Sequence, residues 1–345
     1  MNGVDERLAT VLATHLDPRW GSRFWLERAA GLGFDPCREV RSVADLARLG
    51  PTPLDDLATR PVEDFLPRRF HDVLHECVTA ETGGTTGPPR RTLFLREEFD
   101  AAFVTPFLRA AELVGFPRRV HWLFVGPSGP HVIGKAARAC AAALESLDPF
   151  SVDFDPRWAR KLPADSLARR RYLEHVLEQA HAILASQRIG VLFATPPVLS
   201  ALGERLAPER RAGITGVHLG GMAAAPGFWK ELGERFPNAT VLGGYGNSLA
   251  GVCPQVAADP NAPPEYFPCG ARLLLEVETQ EGSRRGRVRF HRLDLSCFLP
   301  NVLERDVAEA VAPPERARAA GFSLPGLRDP RPPEGATEAR SPGLY

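Results

Sequence analysis

Residues 82–91 read Thr-Gly-Gly-Thr-Thr-Gly-Pro-Pro-Arg-Arg, a loop of glycine and threonine that ends in two cations. The apolar segments Val78–Ala80 before it and Thr92–Leu95 after it predict a strand, a loop and a second strand. Glycine lets backbone N–H groups approach an anion closely, and threonine adds hydroxyl donors. Because a guanidinium binds phosphate through two parallel hydrogen bonds, Arg90 and Arg91 complete a loop suited to a polyphosphate. A glycine-rich surface turn is the alternative.

The loop does not follow the Walker pattern, because no lysine follows Gly87. It resembles instead the signature loop of the adenylate-forming (ANL) superfamily, Thr/Ser-Ser-Gly-Thr-Thr-Gly-x-Pro-Lys. Gly83 replaces its second residue and Arg90 replaces its lysine. The resemblance implies that the protein binds ATP with Mg²⁺ and that Thr86 and Arg90 assist catalysis. It assigns phosphate contacts to Thr82, Gly83, Gly84, Thr85, Thr86 and Gly87.

A second glycine cluster follows a predicted strand at residues 243–248, Gly-Gly-Tyr-Gly-Asn-Ser. It resembles the family's Tyr-Gly-x-Thr-Glu segment, whose tyrosine stacks on adenine and whose threonine contacts phosphate. Leu249 stands where the family carries a magnesium-binding glutamate, and leucine cannot ligate a hard cation. We therefore assign no metal ligand. A core tyrosine in a turn is the alternative for residue 245. The resemblance assigns nucleotide contacts to Gly244, Tyr245, Gly246, Asn247 and Ser248.

Two further loops complete the expected site. Gly220-Gly221-Met222 follows a predicted strand and resembles the family's Gly-Gly-Glu/Ala segment, which lines the adenine and acyl pocket. Residues 126–131 fall where the phenylacetate–CoA ligase branch carries a glycine-rich loop beside its aryl pocket. An ordinary turn is the alternative in both cases. The resemblance assigns contacts with the acid substrate to Gly126, Ser128, Gly129 and His131.

The family also carries an aspartate that binds both ribose hydroxyls, preceded by arginine in the phenylacetate–CoA ligase branch. Arg305-Asp306 is the preferred match, with Asp306 at the ribose and Arg305 among the catalytic residues. Asp294 is the second candidate for the ribose. A carboxylate that accepts from two vicinal hydroxyls is a sound clamp. An exposed turn is the alternative for residues 304–306.

Strands that alternate with helices over residues 78–250 predict an α/β fold with a mostly parallel sheet. Because ligands gather beyond the carboxyl ends of parallel strands, the glycine loops after Ala80, Val125, Leu219 and Leu242 predict one shared site. The predicted strands are His121–Val125, Val191–Ala194, Ile214–Leu219 and Thr240–Leu242. The predicted helices are Glu97–Val114, Val132–Leu147, Tyr172–Ser186 and Pro226–Arg235.

The chain is expected to form one large domain over residues 1–311, of the adenylate-forming N-terminal type. Residues 1–76 are expected to be mainly helical, and residues 251–311 to be β-rich with a hairpin of Leu273–Thr279 and Gly286–Phe290. Residues 312–345 are expected to be irregular, with Gly326–Asp329 as a remnant of the family's hinge. The segment after Asp306 is too short for the family's C-terminal lid domain of roughly 100 residues, which carries a catalytic lysine. CoA thioester formation by this chain alone is therefore not expected.

Composition excludes several classes of function. The 42 basic and 42 acidic residues balance, so no charge field favours a nucleic acid or a membrane surface. No apolar run approaches the length of a membrane span. Six scattered cysteines without a Cys-x-x-Cys pair argue against a zinc site and a disulfide framework and favour the cytoplasm. His71 and His75 have metal-binding spacing, but a solvated helix face is the preferred interpretation.

Together these features favour an enzyme that activates a carboxylic acid with ATP, giving an acyl-adenylate and pyrophosphate. The resemblance to the phenylacetate–CoA ligase branch, and to short phenazine-antibiotic (griseoluteate-type) proteins, implies an aromatic acid and secondary metabolism. The expected partners are the carboxylate and either a second copy of the chain or an enzyme that takes the acyl-adenylate. Two alternatives stay open: a nucleotide-binding protein without catalysis, and an acyl-protein synthetase that uses Cys253 or Cys297.

Overall fold

The computed structural model describes residues 3–83, 87–163, 165–222, 227–257 and 262–333, with the backbone alone at residues 156 and 160. The N-terminal part is helical, as predicted. Residues 68–76 form a 3₁₀ helix, so His71 and His75 are not on one face of an α-helix. The α-helices of this part are α1 (Gly3–His15), α2 (Arg23–Ala29), α3 (Pro36–Glu39) and α4 (Asp56–Thr59), with 3₁₀ turns at Val43–Leu49, Val62–Asp64 and Arg68–Glu76.

The quoted loop connects two antiparallel strands, β1 (Val78–Glu81) and β2 (Arg91–Phe94). The strand–loop–strand prediction is confirmed. The hairpin is a separate two-stranded sheet, however, so the loop after Ala80 does not extend from the parallel sheet as expected. Lys135 holds the hairpin against the next layer, because its Nζ donates to the carbonyl oxygen of Thr79 at 2.7 Å.

A six-stranded sheet forms the α/β core, in the order β4-β3-β5-β6-β7-β8, and its first five strands are parallel. The predicted α/β class is confirmed. The expected 97–114 helix is one run with a π-helical turn at Asp100–Val104. The other elements are α5 (Arg96–Phe99), α6 (Thr105–Val114), β3 (His121–Val125), α7 (Val132–Ala143), β4 (Phe150–Val152), α8 (Pro156–Lys161), α9 (Leu167–Ser186), β5 (Ile189–Ala194), α10 (Pro196–Arg205), α11 (Pro208–Ala212), β6 (Gly216–Leu219), α12 (Phe228–Arg235) and β7 (Thr240–Asn247).

Strand β7 is longer than predicted and runs through the second glycine cluster. It turns at residues 248–250 and pairs antiparallel with β8 (Gly251–Pro254). Gly246 is required there, since a Cβ at that position would lie 2.0 Å from the carbonyl oxygen of Gly251. Tyr245 and Asn247 are therefore strand residues on a fixed backbone.

A five-stranded antiparallel sheet follows, in the order β10-β11-β12-β13-β9. The predicted hairpin is confirmed. The expectation of an irregular tail is wrong for residues 315–331, which form a helix and a strand that pairs with two others. The elements are β9 (Glu265–Tyr266), β10 (Leu273–Thr279), β11 (Arg285–Leu293), β12 (Phe298–Val311), α13 (Glu315–Ala319) and β13 (Gly326–Arg331).

Apolar side chains form three large buried clusters. The first lies between the hairpin, the Arg96–Val114 helix and α7, and the second between the N-terminal helices and the antiparallel sheet. The third packs α9, α10 and α12 on the parallel sheet. Trp122, Phe193 and Phe228 belong to these clusters, as expected for core residues. Within the described residues no helix combines the length and apolar character that a membrane span needs.

Candidate functional site

The base of the phosphate loop is closed by hydrogen bonds between Thr82 and Arg90. The Thr82 N–H donates to the Arg90 carbonyl oxygen, and the Arg90 N–H donates to the Thr82 hydroxyl, both at 2.9 Å. The Arg90 guanidinium faces the Asp55 carboxylate at 3.8 Å. Gly83 is half-buried and Gly87 is exposed. The predicted phosphate contacts at Gly84, Thr85 and Thr86 lie outside the described residues.

Tyr245 and Asp306, the predicted adenine and ribose residues, are in contact although they lie on different sheets. The Tyr245 hydroxyl donates to a carboxylate oxygen of Asp306 at 3.1 Å. Burial, with the nearby Asp306 and Glu304 carboxylates, raises the pKa of Tyr245. Burial also raises the pKa of Asp306. An aromatic ring and a half-buried carboxylate thus lie side by side, which suits a base and its ribose.

Glu304 lies beside the predicted site residues and was not predicted from the sequence. Its carboxylate accepts a hydrogen bond from the side-chain amide of Asn247. This contact joins β7 to β12, as the Tyr245–Asp306 contact does. Burial and the Asp306 charge raise the pKa of Glu304, and the Arg90 charge opposes them. The signal in the sequence is the Glu-x-Asp spacing, because alternate residues of a strand share a face.

The irregular register of β12 explains why this strand presents two acids to β7. Arg287 pairs with Val307 and Arg289 pairs with Leu303, so β12 holds two extra residues between these pairs. Such a bulge re-aims side chains and is common beside functional sites. Arg305, which was predicted to be catalytic, lies in this bulge and is exposed, and its backbone N–H donates to the Glu304 carboxylate. Its catalytic role stays a prediction.

Asp294, the second ribose candidate, lies in the core. Its carboxylate is fully buried and accepts from Arg272 at 2.6 and 2.9 Å and from Arg292 at 2.6 Å. Burial opposes ionisation, but these two cations hold the pKa of Asp294 below its usual range. With its oxygens already bonded and no exposed surface, Asp294 is not available to a ribose. Asp306 is the candidate that the geometry favours.

The glycines of the second cluster bring the ends of β6 and β7 together. A Cβ at Gly220 would lie 3.4 Å from the Gly244 carbonyl oxygen, so the two segments are close. Gly221 has a φ of +84°, a left-handed conformation that favours glycine. Met222 follows as a half-buried residue. This predicted pair of segments does meet beside Tyr245.

The turn after β7 connects the predicted nucleotide residues to the predicted phosphate loop. The Asn247 side-chain oxygen accepts from the backbone N–H groups of Leu249 and Ala250, at 2.8 and 2.9 Å. The Ser248 hydroxyl donates to the Glu81 carbonyl oxygen at 3.1 Å. Glu81 directly precedes Thr82, so the two motifs that were predicted from the sequence meet at this bond.

The loop of residues 126–131 is held by backbone hydrogen bonds. The Ser128 N–H donates to a carboxylate oxygen of Asp153 at 2.7 Å, and the His131 N–H donates to the Ser128 carbonyl oxygen at 3.1 Å. Gly126 is buried and Gly129 has a φ of +58°. Burial, and then the Arg157 charge, lower the pKa of His131, while the Glu81 charge opposes them. His131 is thus close to the base of the phosphate loop and neutral near pH 7.

The described part of the candidate site does not form a protein cage for a metal. Among the described residues no three His, Cys, Asp or Glu side chains are grouped so as to hold an ion. Leu249, at the position of the family's glutamate, is buried in the core cluster around the N-terminal helices. These residues do not fit a dedicated magnesium site.

The two candidate cysteines are not activated. Cys253 and Cys297 are both buried, and burial raises the pKa of Cys253 to about 12 and raises that of Cys297. A thiol that stays protonated and out of reach is a poor nucleophile. The geometry therefore disfavours the acyl-protein synthetase alternative.

The two sheets, the separate loop hairpin and their order along the chain are the fold of the N-terminal domain of adenylate-forming enzymes. In particular, the chain is similar to 2-hydroxyisobutyryl-CoA ligase in the postadenylation state in complex with 2-HIB-AMP. The TM-score is 0.67 at 17% identity, and the match covers 95% of this chain and 67% of the ligase. An open conformation of that ligase with 2-HIB-AMP and CoA gives a TM-score of 0.65 at 17% identity over 94% and 73% of the two chains. A luciferase-like enzyme of the mealworm Zophobas morio gives a TM-score of 0.45 at 17% identity, over 73% of this chain and 57% of that enzyme. No protein-family model matches the sequence, and no curated protein matches it.

Proposed function

We propose that this protein uses ATP to adenylate a carboxylic acid. The contact of Tyr245 with Asp306 carries the proposal, because it joins an aromatic platform and a ribose acceptor at 3.1 Å. The Ser248–Glu81 bond fixes this pair relative to the loop that begins at Thr82. Base, ribose and phosphate thus have complementary groups in one continuous arrangement.

In the proposed reaction a carboxylate oxygen of the acid attacks the α-phosphorus of ATP. An oxygen–phosphorus bond forms, the bond between the α-phosphorus and the bridging oxygen breaks, and pyrophosphate leaves. Positioning and neutralisation of charge supply most of the catalysis in such transfers. Thr86 and Arg90 are assigned to the phosphates, Tyr245 to the base and Asp306 to the ribose. Magnesium would act as the counter-ion of ATP.

We assign the binding of an aromatic acid, of the kind used in phenazine antibiotic biosynthesis, to the 126–131 loop. His131 supports this assignment, because it is largely buried, neutral near pH 7 and close to Glu81. Transfer of the acyl group to CoA is not part of the proposal. A partner enzyme would take the acyl-adenylate.

Pyrophosphate exchange into ATP tests the proposal. The purified chain is assayed with a panel of benzoates, arylacetates and phenazine carboxylates, with magnesium present and each acid omitted in turn. Exchange that depends on one acid supports adenylation of that acid. Thr86→Ala is expected to weaken ATP binding and slow exchange without unfolding. Unchanged ATP affinity in that variant would remove the phosphate-loop assignment.

Leu249 favours a second candidate, a nucleotide-binding protein without catalysis. Its burial in the core leaves the position of the family's metal ligand empty of any carboxylate. Calorimetry with ATP, combined with the exchange assay, distinguishes the two candidates, since this second one predicts ATP binding without acid-dependent exchange.

A further inference from the structure

Arg157 lies where α8, the hairpin and the 126–131 loop approach one another. Its backbone is fixed, because the Asp155 carboxylate caps α8 by accepting the Arg157 N–H at 2.8 Å. Its guanidinium donates to the Glu81 carboxylate and to the Thr82 carbonyl oxygen, the latter at 3.1 Å. One side chain thus contacts the last residue of β1 and the first residue of the phosphate loop.

Glu81 binds a second cation from the opposite strand. Arg91, its partner in the antiparallel register, donates to the other carboxylate oxygen at 2.9 Å. Burial opposes ionisation of Glu81, but the hydrogen bonds from Arg157 and Arg91 hold its pKa below the usual range. Two guanidinium groups around one carboxylate leave a net positive charge at the base of the loop.

The contacts are partly shielded from solvent. The Arg157 side chain is 29% exposed and the Glu81 side chain is 13% exposed. A charge-assisted pair in such a position is stronger and better defined than a surface ion pair. The Nε of Arg157 is buried and no described residue accepts from it, so the guanidinium keeps one donor beside the loop.

We infer that Arg157 is a positioning residue that sets the phosphate loop, through Glu81 and Thr82, for the triphosphate of ATP. This inference rests on the proposed function and adds a residue that the signature loop does not contain. Because the same Glu81 accepts from Ser248, the clamp also keeps the loop in register with Tyr245. The base and ribose contacts themselves are on β7 and β12 and do not involve Arg157.

The test separates the phosphate contacts of the nucleotide from its base and ribose contacts. Dissociation constants for ATP and for adenosine are measured by calorimetry for the wild-type chain and for Arg157→Gln, Arg157→Lys and Glu81→Gln. Arg157→Gln is expected to weaken ATP about 10-fold or more, the size of one lost charge-assisted contact, and to change adenosine less than 2-fold. Arg157→Lys, which keeps the charge, is expected to restore part of the ATP affinity.

Arg205→Gln is the matched control. Arg205 also donates twice to a carboxylate, that of Glu174, at 2.9 and 2.7 Å, but on the outer helices α9 and α10. The Arg205→Gln variant is expected to change neither the ATP nor the adenosine dissociation constant. An equal loss for ATP and adenosine in Arg157→Gln, accompanied by a lower melting temperature, would mean a structural ion pair and overturn the inference. An unchanged ratio of the ATP and adenosine dissociation constants in Arg157→Gln would also overturn it. A wild-type chain that binds neither compound would overturn the proposed function, and the inference with it.

Discussion

Asp306 and Asp294 have the same carboxylate in opposite surroundings. Asp306 is half-buried and accepts a hydrogen bond from one tyrosine hydroxyl, whereas Asp294 is fully buried between two arginines. The sequence offers both as ribose ligands, because each follows an arginine or an Arg-Leu pair at a similar place. Only the fold separates a carboxylate that can receive a ligand from one that is already saturated.

The two aspartates are therefore expected to respond differently to the same change. Asp306→Asn is expected to weaken ATP binding about 10- to 100-fold, with little loss of stability, because a charged acceptor is lost at an accessible site. Asp294→Asn is expected to destabilise the fold by about 3–5 kcal/mol, since two buried cations lose their counter-charge. Calorimetry with ATP and urea unfolding measure the two effects. Equal ATP affinity in Asp306→Asn would remove Asp306 from the ribose.

The Tyr245 hydroxyl is expected to set the acidic limit of nucleotide binding. Burial raises the pKa of Asp306, and donation from Tyr245 limits that rise. The carboxylate binds the ribose best when ionised, so ATP affinity is expected to fall as the pH falls through this pKa. Tyr245→Phe removes the donor and is expected to move the midpoint to higher pH. ATP titrations from pH 4 to pH 8 measure it, and an unmoved midpoint would contradict the argument.

At the scale of elements, prediction succeeded where local pattern and tertiary structure agree. The strand His121–Val125 has the predicted bounds, and the Arg96–Val114 helix was anticipated from its apolar spacing. The extension of β7 through residues 243–247 was missed, because glycine weakens a strand pattern. Strand β13 was missed because its proline-containing segment gains stability only by pairing with β12 and β9.

The β7–β8 hairpin gives a prediction for a pair of glycines. Gly246→Ala would place a Cβ 2.0 Å from the Gly251 carbonyl oxygen, so one strand must move. We expect a loss of about 2 kcal/mol of stability and a larger loss of ATP affinity, because Tyr245 and Asn247 move with the strand. Gly233→Ala is the control, since a Cβ there meets nothing within 4 Å inside α12. It is expected to stabilise the fold by about 0.5–1 kcal/mol. Urea unfolding and ATP calorimetry are the measurements, and unchanged ATP affinity in Gly246→Ala would contradict the role of the hairpin.

At the scale of the whole molecule, the candidate site lies where two sheets are in contact. Tyr245–Asp306 and Asn247–Glu304 join β7 of the parallel sheet to β12 of the antiparallel sheet. The sequence predicted three of these four residues by resemblance, Tyr245 and Asn247 in one motif and Asp306 in another. It did not predict Glu304 or Arg157, because their partners lie 57 and 76 positions away along the chain. Contacts of that range depend on topology, which no local pattern encodes.

Two buried histidines are expected to control acid stability of the whole fold. His15 donates from Nε2 to the Asp294 carbonyl oxygen at 3.0 Å, and His218 donates from Nδ1 to the Leu242 carbonyl oxygen at 2.7 Å. Burial lowers the pKa of each to about 4. Below an unfolded pKa near 6.5 the unfolded chain therefore binds protons that the native chain does not, so stability falls as the pH falls from about 6.5 to 4. Each histidine is expected to contribute up to about 3 kcal/mol to this loss.

The variants His15→Gln and His218→Asn separate this linkage from other titrations. Both are expected to lower stability at pH 7, because a packed ring is lost, but to flatten the decline between pH 6.5 and 4. Burial raises the pKa of Glu98, and its titration acts on stability in the opposite direction to that of the histidines, so the slope of each variant is compared with that of the wild type. His75→Gln is the control, because that side chain is 73% exposed. Urea unfolding at half-unit pH steps measures the slopes. A decline as steep in both variants as in the wild type would contradict the assignment of this acid sensitivity to His15 and His218.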